Sequence, residues 1–121
     1  MNDLTKTIDT YLSAWNETDG ARRAALIAEV WQRDGRLIDP PLTGEGHAGI
    51  SELMAALHTR FPAHRFRRAS AVDAHHDQLR FAWELLSPEG VVVLAGLDVG
   101  ELGSDGRLRR ITGFFGPLLM S

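Results

Sequence analysis

The spacing of apolar residues changes from three or four to two partway along the chain, and this change limits the folds open to it. Leu4, Ile8, Tyr11, Leu12 and Trp15 recur at helical intervals, which predicts a first helix with one apolar stripe. Asn16 to Gly20 carries turn chemistry, strongest at Asp19 and Gly20. A second helix follows with Ala24, Ile27, Ala28 and Trp31 on its buried face, and Gly35 breaks it. Arg36 to Asp39 reads as a short strand, stopped by Pro40 and Pro41 because neither proline can donate to a ladder. Gly44 to Gly49 reads as a loop that opens a third helix, where His47, Ile50, Met54, Leu57 and Phe61 recur every three or four positions.

Beyond Pro62 the reading is of strands. A run from about His64 to His75 precedes a turn near His76 and Asp77. Leu79, Phe81, Trp83 and Leu85 then alternate, as in a half-buried strand. Ser87 to Gly90 is a hairpin turn with proline at its second position. Val91 to Leu102 forms a long strand, Ser104 to Gly106 turns it, and Leu108 to Phe115 is the last strand. Three helices with a short strand threaded between the second and third, followed by an antiparallel meander, make an α+β layer architecture. A long twisted meander curls, so the helices cover its concave face and leave a cone with a cavity at its open end.

The 121 residues form one domain, residues 1–121, with one core. A net charge of −3 with interspersed signs gives no footprint for nucleic acid or an anionic membrane. The densest basic run, Arg65, Arg67 and Arg68 around Phe66, reads as an edge or partner surface. No stretch approaches the length of a membrane span. Met1 to Lys6 lacks a basic region followed by an apolar run, which predicts a cytoplasmic protein. The absence of cysteine excludes disulfides, thiolate metal sites and cysteine nucleophiles. His47 and His58 stand about 16 Å apart along one helix, and the adjacent His75 and His76 point to opposite faces of a strand. No metal site is expected from that spacing.

Tyr11 to Asn16, Asp19, Leu37 to Pro40, and Gly46 with Ile50 together form a pattern similar to the nuclear transport factor 2-like superfamily. Arg80 to Trp83, Gly96 to Asp98, Asp105 to Arg107 and Gly113 to Gly116 resemble its SnoaL-like polyketide cyclase branch. The resemblance spans nearly the whole chain and implies a cystatin-like α+β roll, a curved sheet wrapped around three N-terminal helices. It also implies a homodimer through the outer sheet face, with the run from His64 to His75 and the last strand supplying that surface. The superfold hosts isomerases, cyclases, dehydratases, hydrolases and non-catalytic modules.

Within that superfamily, Tyr11, Asp39 and Asp98 match the catalytic set of the ketosteroid isomerases. The match implies Asp39 as the base that moves a proton, with Tyr11 and Asp98 as the oxyanion hole. Periodicity agrees with interior positions for all three. Tyr11 shares a helical face with Ile8 and Trp15, Asp39 alternates with Leu37, and Asp98 lies on a strand face with Val92 and Leu94. A carboxylate among such neighbours has its pKa raised by desolvation and donates a hydrogen bond once neutral. Abstraction of a proton beside a carbonyl needs a base at the C–H and donors at the oxygen, without metal or organic cofactor.

Plainer readings stand beside these. Tyr11 reads equally as a core tyrosine, Asp39 as a turn former before proline, and Asp98 as half of a buried ion pair with Arg36 or Arg80. A dehydratase would draw on His47 or His76 as base, and an epoxide hydrolase-type enzyme on Asp39, Arg80 and Asp98. A non-catalytic ligand-binding or dimerisation module needs neither set. His47, at the start of the third helix's apolar stripe, could orient Asp39. Trp15, Trp31, Phe61, Phe81, Trp83 and Phe115 are expected to divide between core and cavity wall, favouring a small hydrophobic ligand.

Overall fold

The computed structural model describes residues 3–120. Met1 and Asn2, on which the leader reading partly rests, lie outside the described residues. Three helices, α1 (Asp3–Asn16), α2 (Gly20–Val30) and α3 (Gly46–Arg60), accompany seven strands. The strands are β1 (Trp31–Asp39), β2 (Leu42–Glu45), β3 (Arg65–Arg68), β4 (Asp73–His75), β5 (Gln78–Leu86), β6 (Val92–Leu102) and β7 (Leu108–Phe115). No helix among the described residues is long and apolar enough to cross a membrane.

The helices form where the apolar stripes and end signals place them, with two corrections. On α1 the stripe of Ile8, Tyr11, Leu12 and Trp15 is buried. The carboxylate of Asp19 caps α2 by accepting from the backbone N–H of Ala21 and Arg22, satisfying donors that have no intrahelical partner. The buried face of α2 is Arg23, Ile27 and Val30, not the alanine-lined face expected from periodicity, and Ala24 and Ala28 are exposed. Arg23 lies inside because its guanidinium donates to the Glu17 carbonyl at 2.8 Å and to Ser51 Oγ at 2.9 Å. Gly35 does not end this helix. The helix stops at Val30 because Trp31 pairs with Leu108 of β7, and Gly35 lies inside β1.

The sheet runs in the order β2-β1-β7-β6-β5-β3, with β4 also paired to β5. All pairings are antiparallel except β1 with β7, so the sheet is mixed, and it does not close. The expected loop before α3 is instead β2, which folds back on β1 with Asp39 opposite Leu42 around a cis Pro40–Pro41 peptide. The run expected from His64 to His75 is two strands. The Ala69 N–H still donates to the Ala82 carbonyl, and residues 70–72 then leave the ladder, with Ser70 Oγ accepting from the Ala82 N–H in place of a strand carbonyl. The hairpin at Ser87–Gly90 forms as its residues predict, with Gly90 at φ +86°.

The helices pack on one face of this sheet, and a single cluster of buried side chains joins the two layers. Tyr11, Trp31 and Phe81 are its largest fully buried rings.

Candidate functional site

A cavity of about 510 Å³ opens between the helices and the concave face of the sheet. α1 contributes Tyr11, Leu12 and Trp15, and one face of α3 contributes Leu53, Ala56, Leu57 and Arg60. The end of β1 and the turn after it bring Leu37, Asp39, Pro40 and Pro41, while Trp83, Leu85, Leu94, Asp98 and Gly113 form the sheet wall. Most of this lining is apolar, which suits a hydrophobic ligand.

Asp98, in the middle of β6, is the buried acid of the site at 6% exposure. Its carboxylate accepts from Tyr11 Oη at Oδ2 and from Trp83 Nε1 at Oδ1, both at 2.9 Å. The indole reaches it because Gly96, opposite Trp83 in the ladder, has no side chain; a Cβ there would lie 2.3 Å from Trp83 Cζ2. Burial pushes the Asp98 carboxyl up to about 7, against the opposing pull of the Tyr11 and Trp83 donors, and the nearby Asp39 charge adds to the rise. Tyr11 is driven well above the ordinary tyrosine range, first by burial and then by the Asp98 charge.

Asp39, the last residue of β1, is half-buried, and burial pushes it up to about 6. Gly113 of β7 stands between the two acids. A Cβ built on it would lie 3.1 Å from Asp39 Oδ1 and 3.1 Å from Asp98 Oδ1. The two carboxyls therefore face one another across a gap that glycine keeps open. Burial raises both carboxyls, so each holds its proton to a higher pH than an exposed acid does.

The structure brings Tyr11, Asp39 and Asp98 to one cavity, together with Trp15, Phe61, Trp83 and Phe115. It places Trp31, Phe81 and His47 elsewhere. The rings of Trp31 and Phe81 pack 6.0 and 6.1 Å from that of Tyr11, so they buttress the tyrosine and stay off the cavity surface. His47 does not orient Asp39. Its Nε2 sits 3.1 Å from the carbonyls of Trp31 and Gln32, tying the start of α3 to β1.

The buried ion pair expected for Asp98 does not form, since Arg36 pairs with Glu45 and Arg80 with Asp73, all on the exposed surface. The same placement of Arg80 removes the Asp-Arg-Asp arrangement of an epoxide hydrolase. The dehydratase base is missing as well, because no histidine lines the cavity and His76 stands on an exposed turn. Sequence reasoning missed Arg60, Gly113 and the indole donor Trp83 Nε1. The first was legible as the next step of the stripe through Leu53 and Leu57. The other two depend on strand register.

No protein-family model matches the chain, and no curated protein does. Among solved structures, it is similar to a protein from Agrobacterium tumefaciens designated a candidate isomerase of the SnoaL-like family. The identity is 39%, covering 93% of this chain and 96% of the other, with a TM-score of 0.87. A candidate SnoaL-like polyketide cyclase from Jannaschia sp. CCS1 shares 20% identity over 92% of this chain and 85% of the other, with a TM-score of 0.67. A nuclear transport factor 2-like protein of unknown function from Exiguobacterium sp. 255-15 shares 18% over 93% and 99%, at a TM-score of 0.72. The last two speak for the fold, whereas the first, similar along almost the whole of both chains, speaks for the family. The chain belongs to the SnoaL-like family of the nuclear transport factor 2-like superfamily.

Proposed function

We propose that this protein is a cofactor-independent isomerase or cyclase that abstracts a proton next to a carbonyl on a hydrophobic substrate. The observation that carries this reading is the pair of unlike acids, Asp39 and Asp98, facing one another across Gly113 in an apolar cavity. Asp39, ionised above about pH 6, takes the proton from the carbon beside the carbonyl. The C–H electron pair moves into the new C=C bond, and the carbonyl oxygen gains negative charge. Tyr11 donates to that oxygen, and the neutral Asp98 supports it by donating to the phenol oxygen in turn.

The 2.9 Å contact between these two groups can run either way. When Asp98 is ionised, Tyr11 donates to it. When Asp98 is neutral, its O–H donates to Tyr11 Oη and frees the phenol O–H for the substrate oxygen. In an isomerase, Asp39 returns the proton to the γ-carbon. In a cyclase, the enolate carbon attacks a second carbonyl carbon of the same substrate, the C=O π pair moves onto that oxygen, and the oxygen takes the proton back from Asp39. The candidate isomerase designation of the Agrobacterium protein supports the first outcome.

The deciding experiment is turnover of an activated β,γ-unsaturated ketone, followed by the appearance of the conjugated enone. Asp39→Asn keeps the shape and removes the base, so it should abolish turnover. A variant that retains activity sinks the proposal and leaves a ligand-binding module. A homodimer through the outer sheet face belongs to the same reading, supported by the exposed apolar side chains of Val93 and Phe114 on β6 and β7. Light scattering that gives a monomer at micromolar concentration would reject it.

A further inference from the structure

Among the described residues that line the cavity, Arg60 is the one cation. None of the ion pairs among the described residues engages it. Its guanidinium lies 5.8 Å from the centroid of the Phe61 ring, itself part of the cavity wall. Leu53, Ala56, Leu57 and Arg60 share one face of α3, three or four positions apart, and all four line the cavity. Leu53 is 7% exposed and Arg60 stands in solvent, so this stripe runs from the interior out to the mouth. The rise from Leu53 to Arg60 is about 10 Å.

We infer that the cavity takes an amphiphilic acid: an apolar carbonyl compound with an anionic group that Arg60 holds at the mouth. The inference rests on reading the cavity as the substrate site, and proton transfer is not needed for it. A guanidinium presents a planar fork that matches a carboxylate with two parallel hydrogen bonds. In open water such a pair contributes little, but here one side of it is an apolar wall that excludes solvent. The ionised Asp39 on another wall repels an anion, so the charged end of the ligand is turned outward and its carbonyl inward. An arginine in the last turn of a helix also complements the helix dipole, a purely structural role that would leave ligand choice untouched.

2-Naphthoate and 2-naphthamide are flat probes of nearly the same shape that differ in charge. Titrated calorimetrically into the full chain at pH 7 and low ionic strength, the acid should bind about tenfold tighter than the amide. Arg60→Gln should bring the acid down to the amide's affinity while amide binding stays within about twofold. Arg60→Lys should retain part of the preference, and added salt should narrow it. Equal affinities in the unsubstituted protein overturn the inference, as does a preference that survives Arg60→Gln. Loss of both probes together in that variant, or binding of neither probe to the unsubstituted protein, also overturns it. Turnover is not among these readouts. An inactive protein that prefers the acid keeps the inference and loses the isomerase reading; an active protein without the preference does the reverse.

Discussion

Tyr11 on α1 and Asp98 on β6 are 87 residues apart in the chain and 2.9 Å apart in space. The contact joins the helical layer to the sheet at the cavity surface, and the two groups have few other polar neighbours. Trp83 gives Asp98 a second donor, while Trp31 and Phe81 hold the Tyr11 ring from behind. A carboxyl set among these groups is desolvated without being paired to a cation. That is why its proton is retained to about neutral pH.

Tyr11→Phe removes the hydroxyl and keeps the ring between Trp31 and Phe81. If the phenol donates to the developing oxyanion, kcat on a β,γ-enone should fall by about 10²–10³-fold with little change in KM. Steady-state kinetics with a thermal melt would check this. A fall in melting temperature with unchanged kcat would mark Tyr11 as a core residue only.

The rate should depend on pH as a narrow bell. Asp39 must be ionised and Asp98 neutral, so kcat/KM should rise through about pH 6 and fall above about 7. The two limbs belong to the coupled pair rather than to either acid alone. Trp83→Phe deletes a donor that favours the ionised form of Asp98. The falling limb should therefore move to higher pH while the rising limb stays in place, as measured across a series of buffers at constant ionic strength.

The parts of the fold legible in the sequence were those set by local pattern. The stripe on α1, the alternation of β5 and the turn at Ser87–Gly90 each depend on neighbours within one or two turns of chain. Misread elements depended on distant partners. Trp31 looks helical by spacing and is a strand residue because β7 pairs with it. Arg23 is buried because a loop carbonyl and Ser51 receive its protons. β2 exists because Asp39 and Leu42 pair across two prolines, where the sequence shows only turn formers. At the site, periodicity put Tyr11, Asp39 and Asp98 on interior faces, and the family pattern grouped them. Spacing alone could not separate Trp15 and Trp83, which line the cavity, from Trp31 and Phe81, which pack one layer behind.

Stability should fall as pH rises from about 4 to about 7. Asp98 has an ordinary pKa of 3.8 in the unfolded chain and about 7 in the fold, so the folded state binds the extra proton between those values. The contribution is fully present below 3.8 and is lost as pH passes through about 7. The loss amounts to something on the order of 3 kcal/mol. Asp98→Asn mimics the neutral acid, accepting from Trp83 and donating to Tyr11. Urea unfolding at pH 4 and pH 8 should show a flatter slope for this variant, with a remainder due to Asp39. A wild-type protein with equal stability at both pH values would contradict the burial of an unpaired carboxyl.

Gly113→Ala tests the spacing of the two acids directly. The added methyl would sit 3.1 Å from an oxygen of each, tighter than carbon and oxygen normally approach. Asp39 is half-buried at the cavity edge, whereas Asp98 is held by two hydrogen bonds, so Asp39 should yield by a few tenths of an ångström. Replacing a strand glycine lowers the entropy of the unfolded chain, which offsets part of the crowding. Stability should then change by less than about 1 kcal/mol. The base, in contrast, is moved off the line to the substrate, and misplacement on this scale costs about 10–10²-fold in kcat. Kinetics and denaturant unfolding on the same variant separate the two effects. Unchanged kcat in a stably folded Gly113→Ala protein would show that Asp39 does not need its place opposite Asp98, and the acid–base pairing would have to be abandoned.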